Sequence, residues 1–242
     1  MKSFVVRPIP LFDIVLDKSL MTYRMNMGQP MSMPGYVWYI EGPQERILVD
    51  AGGDMALFKA RGIPARDIQT LEQGLGKLGL KPEDIDILIL THLHHDHAAH
   101  MRELTRARVI VQKKELAFAR NPHPMFSRVY IKEHIEGLKF EVIEGDAHVV
   151  DGVEIMFTPG HAPGGQSVAV QTAKGKVVIA GLCTIRDNFE PPADMMPPLP
   201  VIAPTLNLDL IQAYESALRI KKAADIIVPL HSPEYLEQNS IG

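Results

Sequence analysis

Residues 85–97 read Ile-Asp-Ile-Leu-Ile-Leu-Thr-His-Leu-His-His-Asp-His. The first six are an apolar run interrupted once, which is typical of a buried strand. Side chains that bind metals follow within six residues, namely His92, His94, Asp96 and His97. Open α/β sheets commonly bind ligands beyond the carboxyl ends of such strands. The stretch therefore predicts a metal site at the end of a buried strand.

The spacing within this cluster favours two ions over one. Side chains two residues apart in an extended chain point the same way, so His92 and His94 can hold one ion. A turn then brings Asp96 and His97 to the other side, and four ligands on one ion would leave no open position for chemistry. The alternatives are a histidine-rich surface turn and a weak adventitious site.

The composition excludes several classes of partner. The chain has 242 residues, a net charge of −4 and a hydrophobic fraction of 46%, which is ordinary for one globular domain spanning residues 1–242. Nothing in this charge favours nucleic acid. No apolar run is long enough for a membrane span. The first residues lack the apolar core of a secretory signal, and a single cysteine, Cys183, suits a reducing compartment. We therefore expect a cytoplasmic protein.

Short strands alternate with a few amphipathic helices along the chain. Strands are predicted at residues 4–9, 12–16, 36–41, 46–50, 85–90, 108–112, 152–158, 166–171, 176–180 and 226–229. Helices are predicted at residues 67–78, 113–120 and 209–222, the first capped by Asp67. The six prolines of residues 190–204 predict a structured loop. This pattern favours a sheet-on-sheet core covered by helices.

Four motifs in order resemble the metallo-β-lactamase superfamily. They are the cluster itself, Val49-Asp50-Ala51-Gly52, Thr158-Pro159-Gly160-His161 and Pro229-Leu230-His231. Within that superfamily the chain is most similar to the N-acyl homoserine lactonase-like group, through residues 158–167 and Asn188-Phe189. The resemblance implies an α+β fold, a four-layer αβ/βα sandwich with metals at one edge of the sheets.

The resemblance also implies a ligand set of two divalent ions, zinc being the expected metal and manganese, iron and cobalt the alternatives. His92, His94 and His161 would hold the first ion. Asp96, His97 and His231 would hold the second. The carboxylate that bridges the two ions in family members is missing, because Leu182 and Cys183 stand in its place. Cys183 is therefore a candidate thiolate ligand, and a small buried residue is its equal alternative.

Three residues are candidates for roles in the reaction itself. Asp96 is expected to orient the attacking water and assist proton transfer. Tyr36 and Arg186 are candidates for binding substrate and stabilising developing negative charge. The alternatives are that Tyr36 is an ordinary half-buried strand residue and Arg186 a solvated one. Arg186 stands where the lactonase-like group has a catalytic tyrosine. Asp50 is expected to anchor the metal-binding turn through hydrogen bonds.

The predicted function is hydrolysis of a lactone or related carboxylic ester, with N-acyl homoserine lactone and quorum quenching implied by the resemblance. The attacking group would be a metal-activated hydroxide. The alternatives are thioester, phosphodiester or β-lactam hydrolysis, and a non-hydrolytic iron-binding protein. The expected partner is a small molecule with an acyl chain. The methionines at 21–33 and 195–196 offer an adaptable apolar surface for such a chain. The alternative is that these methionines only pack onto the core. The sequence leaves open whether the protein forms a homodimer.

Overall fold

Two mixed β-sheets form the centre of the molecule. The computed structural model describes residues 3–43 and 45–242, and within them the first sheet has seven strands in the order β4-β1-β2-β3-β5-β6-β7. Its strands are β1 (Val5–Asp17), β2 (Pro30–Glu41), β3 (Ile47–Val49), β4 (Ala65–Asp67), β5 (Ile87–Ile89), β6 (Arg108–Gln112) and β7 (Glu141–Ile143). The neighbours β3, β5, β6 and β7 are parallel, so their carboxyl ends meet at one edge.

The second sheet has five strands in the order β12-β11-β10-β9-β8 within the described residues. They are β8 (Ala147–Val150), β9 (Val153–Phe157), β10 (Gln166–Thr172), β11 (Gly175–Ala180) and β12 (Ile226–Pro229). All of its neighbouring pairs are antiparallel except β11 with β12, which are parallel.

Helices cover the outer faces of both sheets. They are α1 (Met55–Ala60), α2 (Leu71–Gly76), α3 (His95–Ala98), α4 (Lys113–Arg120), α5 (Lys132–Ile135) and α6 (Leu210–Ala223). None of these helices is long and apolar enough to cross a membrane.

Three apolar clusters define the layers. The first contains Leu48 and Leu88 of the first sheet together with Leu75 of α2 and Leu116 of α4. The second joins alternate residues of the two sheets, among them Trp38 and Val168. The third packs Val178 against Ala217 and Ile220 of α6. The layers therefore run helix, sheet, sheet, helix, which confirms the predicted αβ/βα sandwich.

Most predicted elements are present, with differences that have local causes. Residues 4–9 and 12–16 belong to one long strand, β1, whose pairing with β2 shifts between Pro10 and Phe12. The helix predicted from Asp67 begins later. Asp67 ends β4, and Thr70 caps α2 because its hydroxyl accepts from the Gln73 amide at 3.1 Å while the Gln73 side chain accepts from the Thr70 amide.

The prediction of a structured loop at residues 190–204 is confirmed. Residues 190–204 contain neither helix nor strand, in keeping with their prolines. The strands predicted at residues 36–41 and 46–50 correspond to β2 and β3, which pair antiparallel. Gln44 itself lies outside the described residues.

Candidate metal centre

Loops that follow three strands bring the predicted ligands to one edge of the sandwich. The histidine cluster follows β5, His161 follows β9 and His231 follows β12. All the histidines concerned are buried: His92, His94, His97, His161 and His231. The edge predicted from residues 85–97 is therefore the place where the three histidine-containing motifs converge.

The side chains of His92, His94 and His161 form the first group that can hold an ion. Their ligand atoms lie within 4.8 Å of one another. The Nε2 atoms of His92 and His161 are 3.2 Å apart.

Hydrogen bonds fix which nitrogen of each ring carries the proton. His161 Nδ1 lies 2.6 Å from the Leu206 carbonyl oxygen, which only accepts, so Nδ1 is protonated and Nε2 holds a lone pair. The Thr91 hydroxyl donates to Asp50 Oδ2 at 2.9 Å, so it accepts from His92 Nδ1 at 3.0 Å. Two lone pairs therefore face each other across 3.2 Å.

These two rings cannot relieve the repulsion by taking up a proton at neutral pH. Burial lowers the pKa of His161 to about 4 and that of His92 well below its ordinary value. A cation bound between the two nitrogens would remove this repulsion. Two imidazole nitrogens that face one ion are the arrangement expected of a metal site.

The second group consists of His92, Asp96 and His97, with His231 beside it. The ligand atoms of the first three lie within 4.8 Å of one another. His97 Nδ1 is 2.8 Å from Asp50 Oδ2, and His97 Nε2 is 3.3 Å from Asp96 Oδ2. The His231 ring centre lies 5.3 Å from that of His97. Its Nδ1 donates to the Pro34 carbonyl oxygen at 3.1 Å, which leaves Nε2 as a lone pair.

The donors fit a pair of zinc-like ions. Within the described chain the Nε2 atoms of His94, His97 and His231 are buried without a hydrogen-bond partner. Buried polar atoms are rarely left unpaired, so three such nitrogens at one site point to a shared missing partner. Imidazole nitrogens with one carboxylate are the ligands that zinc prefers in hydrolytic sites.

The charges in the second group also favour a bound cation. Burial opposes a charged His97, but the carboxylates of Asp96 and Asp50 outweigh it and raise the pKa of His97 to about 10. A positive charge is thus favoured between these carboxylates. An ion bound by Asp96 and His97 would supply that charge in place of the proton.

Asp50 holds the metal-binding turn, as predicted. Its Oδ1 accepts from the Thr91 amide at 2.7 Å and its Oδ2 from the Thr91 hydroxyl. The residue is fully buried and has a φ of 62°. Non-glycine residues adopt this backbone conformation at a cost, so the surrounding hydrogen bonds must hold it there.

Glu115, which was not among the predicted site residues, connects the two loops of the first group. This fully buried carboxylate accepts from the Leu93 amide at 2.9 Å and from the Gly164 amide at 2.9 Å. The Tyr130 hydroxyl also donates to it at 3.0 Å, and the Tyr130 ring packs edge-on against His94. A Cβ at Gly164 would lie 2.4 Å from the Glu115 amide nitrogen, so glycine is required for this approach.

A cavity of about 370 Å³ opens onto both ligand groups. His94, Asp96, His161 and His231 line its floor. The walls are mainly apolar, with side chains from Ile14, Leu16, Met21, Met33, Phe58, Phe126 and Val129. Met21 and Met33 of the segment 21–33 line it, whereas Met195 and Met196 do not. Such a cavity suits a small molecule with an aliphatic part.

Two predicted substrate residues lie away from this cavity. Tyr36 is buried between the sheets, packs against Trp38 at 4.9 Å between ring centres, and donates to the Ser232 carbonyl oxygen. Arg186 pairs with Glu234 at 3.0 Å on the surface and lines a different cavity. The structure therefore does not bring either residue to the ligand groups, because each is held by other partners.

Cys183 reaches the cavity wall but joins neither ligand group. Its Sγ lies 3.5 Å from the Met21 Sδ, and burial raises the pKa of the thiol. Leu182 is fully buried in the third apolar cluster. A side chain on Gly181 is excluded, because a Cβ there would lie 1.7 Å from the Gln166 carbonyl oxygen. No carboxylate from this segment reaches the ligand groups, in agreement with the sequence.

The fold and these ligand groups together define a metal-dependent hydrolase. The family model of the metallo-β-lactamase superfamily matches residues 32–229, and the chain belongs to this superfamily.

Relatives and solved structures of lactonases are similar to the chain. An N-acyl homoserine lactonase of Bacillus cereus is 29% identical over 197 residues, which is 75% of this chain and 77% of that protein. A structure of an N-acyl homoserine lactone hydrolase, with the product N-hexanoyl-L-homoserine at its catalytic metal centre, has a TM-score of 0.78 and 27% identity, covering 97% of this chain and 95% of that one. The dizinc quorum-quenching lactonase AidC shares the fold, with a TM-score of 0.69 and 16% identity over 99% of this chain and 92% of that one.

Proposed function

We propose that this protein hydrolyses the ester bond of a lactone carrying an acyl chain, of the N-acyl homoserine lactone type. The observation that carries the proposal is the apolar cavity of about 370 Å³ whose floor is made of the ligand groups. An acyl chain can lie along the walls while the polar ring reaches the floor. The similarity to lactonases over most of the chain supports the same substrate class.

The proposed ligands are divided between two zinc ions. His92, His94 and His161 hold the first, and Asp96, His97 and His231 hold the second. The tautomers support these histidines as ligands, since Nε2 of His92, His161 and His231 is the free nitrogen in each ring. Zinc is favoured by the imidazole-rich donor set. Cys183 is left out of the set because its sulfur contacts Met21 instead.

When bound, such ions lower the pKa of a coordinated water to about 7 and polarise a carbonyl oxygen. The protein's own part is to hold the reactants and move the proton. Asp96 lines the cavity floor, where it can orient the attacking water and then pass its proton to the leaving alkoxide. The apolar walls exclude other water from the reacting ester, which strengthens each electrostatic contact there.

A substrate panel tests this proposal. Zinc-loaded protein is assayed with N-hexanoyl homoserine lactone, an aryl thioester, bis(p-nitrophenyl) phosphate and a chromogenic β-lactam. Ring opening of the lactone, abolished by a chelator and restored by zinc, is the expected result. Release of thiol or nitrophenolate, or opening of the β-lactam, without any lactone hydrolysis would instead identify the protein as a thioester, phosphodiester or β-lactam hydrolase, respectively. Iron as the metal that co-purifies, with no hydrolysis at all, would favour a non-hydrolytic role.

The setting of this activity is also proposed. We infer a single hydrolase domain acting in the cytoplasm, since a lone cysteine suits a reducing compartment. Hydrolysis of acyl homoserine lactones there would give the protein a role in quorum quenching. Size-exclusion chromatography with light scattering would decide between a monomer and a homodimer.

A further inference from the structure

Arg61 lies on the wall of the substrate cavity, directly after α1. One of its terminal nitrogens is 3.1 Å from His95 Nε2, and the other donates to the Arg128 carbonyl oxygen. A guanidinium only donates, so His95 Nε2 is the acceptor in this contact. The His95 ring packs in turn on the Phe58 ring, with centres 4.7 Å apart. These contacts hold the guanidinium in a fixed place on the wall.

This guanidinium makes no ion pair with a carboxylate among the residues that the structure describes. Other arginines do, among them Arg7, Arg66, Arg108, Arg186 and Arg219. Of the carboxylates, only Asp96 lines the same cavity, and it faces His97 within the proposed second metal group. A guanidinium carries five N–H donors, and the two contacts described use only part of them.

The surroundings make this unpaired charge available to a ligand. Arg61 is half-buried beside apolar walls. Burial and then the nearby Arg128 lower its pKa, and the Asp96 carboxylate acts against them. Partly dehydrated charges interact more strongly with an opposite charge than fully solvated ones do. Arginine also binds carboxylates through two parallel hydrogen bonds.

We propose that Arg61 makes the cavity selective for lactones whose acyl chain carries a carboxylate. This rests on the proposed lactonase function and narrows its substrate class. The lactone ring would lie at the ligand groups, the aliphatic part of the chain along the apolar wall, and the carboxylate at Arg61. Arg61 is then a specificity residue and takes no part in the bond cleavage.

The test compares two matched acyl chains. N-hexanoyl and N-adipoyl homoserine lactone have chains of equal length, ending in a methyl group and a carboxylate, and the glutaryl compound probes a shorter reach. The wild type is compared with Arg61→Met, Arg61→Lys and the control Lys59→Met. Lys59 lies on α1, two residues before Arg61, and pairs with Asp67 at the surface, so its loss changes net charge without touching the cavity wall.

The wild type is expected to favour a carboxylated substrate over the hexanoyl one by about tenfold or more in kcat/KM. Arg61→Met should lower kcat/KM for that substrate by about tenfold to a hundredfold, through KM, because a charge-assisted hydrogen bond is lost. Turnover of the hexanoyl lactone should fall less than that of the carboxylated substrate, so that the preference between the two is lost. Arg61→Lys should keep part of the preference, and Lys59→Met all of it.

Two outcomes overturn the inference alone. One is a wild type that opens the hexanoyl lactone with no preference for either carboxylated compound. The other is an Arg61→Met variant that loses all substrates equally, which would mean that Arg61 only supports the fold of the wall. Failure of the zinc-loaded wild type to open any of these lactones would overturn the proposed function, and this inference with it.

Discussion

His92 and His161 present their Nε2 lone pairs to each other at 3.2 Å, with no proton of their own to place between them. Such a pair is destabilising in the metal-free protein and becomes favourable when a cation lies between the two nitrogens. The two residues are 69 positions apart in the chain and come from different sheets. Metal binding should therefore stabilise the whole sandwich.

Removal of the metal is expected to lower the melting temperature. An ion present at about a thousand times its Kd adds about 4 kcal/mol to the free energy of unfolding, which corresponds to roughly 10 °C for a protein of this size. Scanning calorimetry with a chelator, and again after zinc is restored, measures the change. His161→Ala should lose the part of this response that comes from the first ion. The control His148→Ala, at an exposed surface position, should keep it. An equal response in both variants would contradict the assignment.

Substitution of Asp50 by asparagine should weaken the binding of the second ion. The carboxylate now keeps the proton of His97 on Nδ1. An amide can donate to Nδ1 instead, which would move the ring proton to Nε2 and block coordination. We expect about tenfold to a hundredfold weaker binding of one ion. Competition with a chromogenic chelator measures it, with Asp67→Asn as a surface control. Unaltered affinity for both ions would show that Asp50 acts on the backbone alone.

Loss of Glu115 should destabilise the protein even without metal. Alanine at this position leaves the Leu93 and Gly164 amides buried and unpaired. Each unpaired donor costs about 1–3 kcal/mol, so a loss of about 2–6 kcal/mol is expected. Glu115→Gln should cost less, because one acceptor oxygen remains. Urea denaturation of the chelated protein gives both values, with the exposed Glu133→Ala as control. Wild-type stability in Glu115→Ala would disprove the connecting role.

The metal-free protein should lose stability in mild acid. Burial lowers the pKa of His161 and of His231 to about 4, below their ordinary value of 6.5. The folded state therefore resists their protonation, and the loss sets in below pH 6.5 and continues to about pH 4. His97 acts in the opposite sense, because its raised pKa of about 10 gives stability that is complete below pH 6.5 and lost as the pH rises towards 10. Melting temperatures across this range in chelator would reveal both trends, and a flat profile would contradict them.

Replacement of Cys183 by alanine should leave the metal content unchanged. Its sulfur contacts Met21 rather than a ligand group, and it lines the cavity wall. The expected effect is a change in KM for long acyl chains with the same number of ions per chain. Elemental analysis of the purified variant counts the ions. A fall by one ion would restore Cys183 to the ligand set predicted from its place after Gly181.

The parts of the site that could be predicted from the sequence are those built from local motifs. The spacing of His92, His94, Asp96 and His97 after an apolar run predicted the edge at which they lie, and the motifs of His161 and His231 completed the set. The anchoring role of Asp50 also followed, because Val-Asp-x-Gly places it at a neighbouring strand end. The four-layer sandwich was implied by the same motifs in the same order.

Residues whose role depends on contacts between distant segments could not be identified from the sequence. Glu115 meets Leu93 and Gly164 only after the sheets have packed, and no pattern around it distinguishes it from a solvated helix residue. Arg61 likewise becomes a wall residue only when His95 and Arg128 approach it. Tyr36 was misjudged for the converse reason. Its hydroxyl, read as a group for substrate, is used by the Ser232 carbonyl oxygen inside the core.

An activity titration tests the central claim most directly. Protein stripped of metal by a chelator is titrated with zinc, and the initial rate of ring opening of N-hexanoyl homoserine lactone is followed at each addition. The account predicts no rate at the start, a rise with zinc, and a plateau at two ions per chain. A lactone rate that is present without metal, or absent at every zinc concentration, would contradict it.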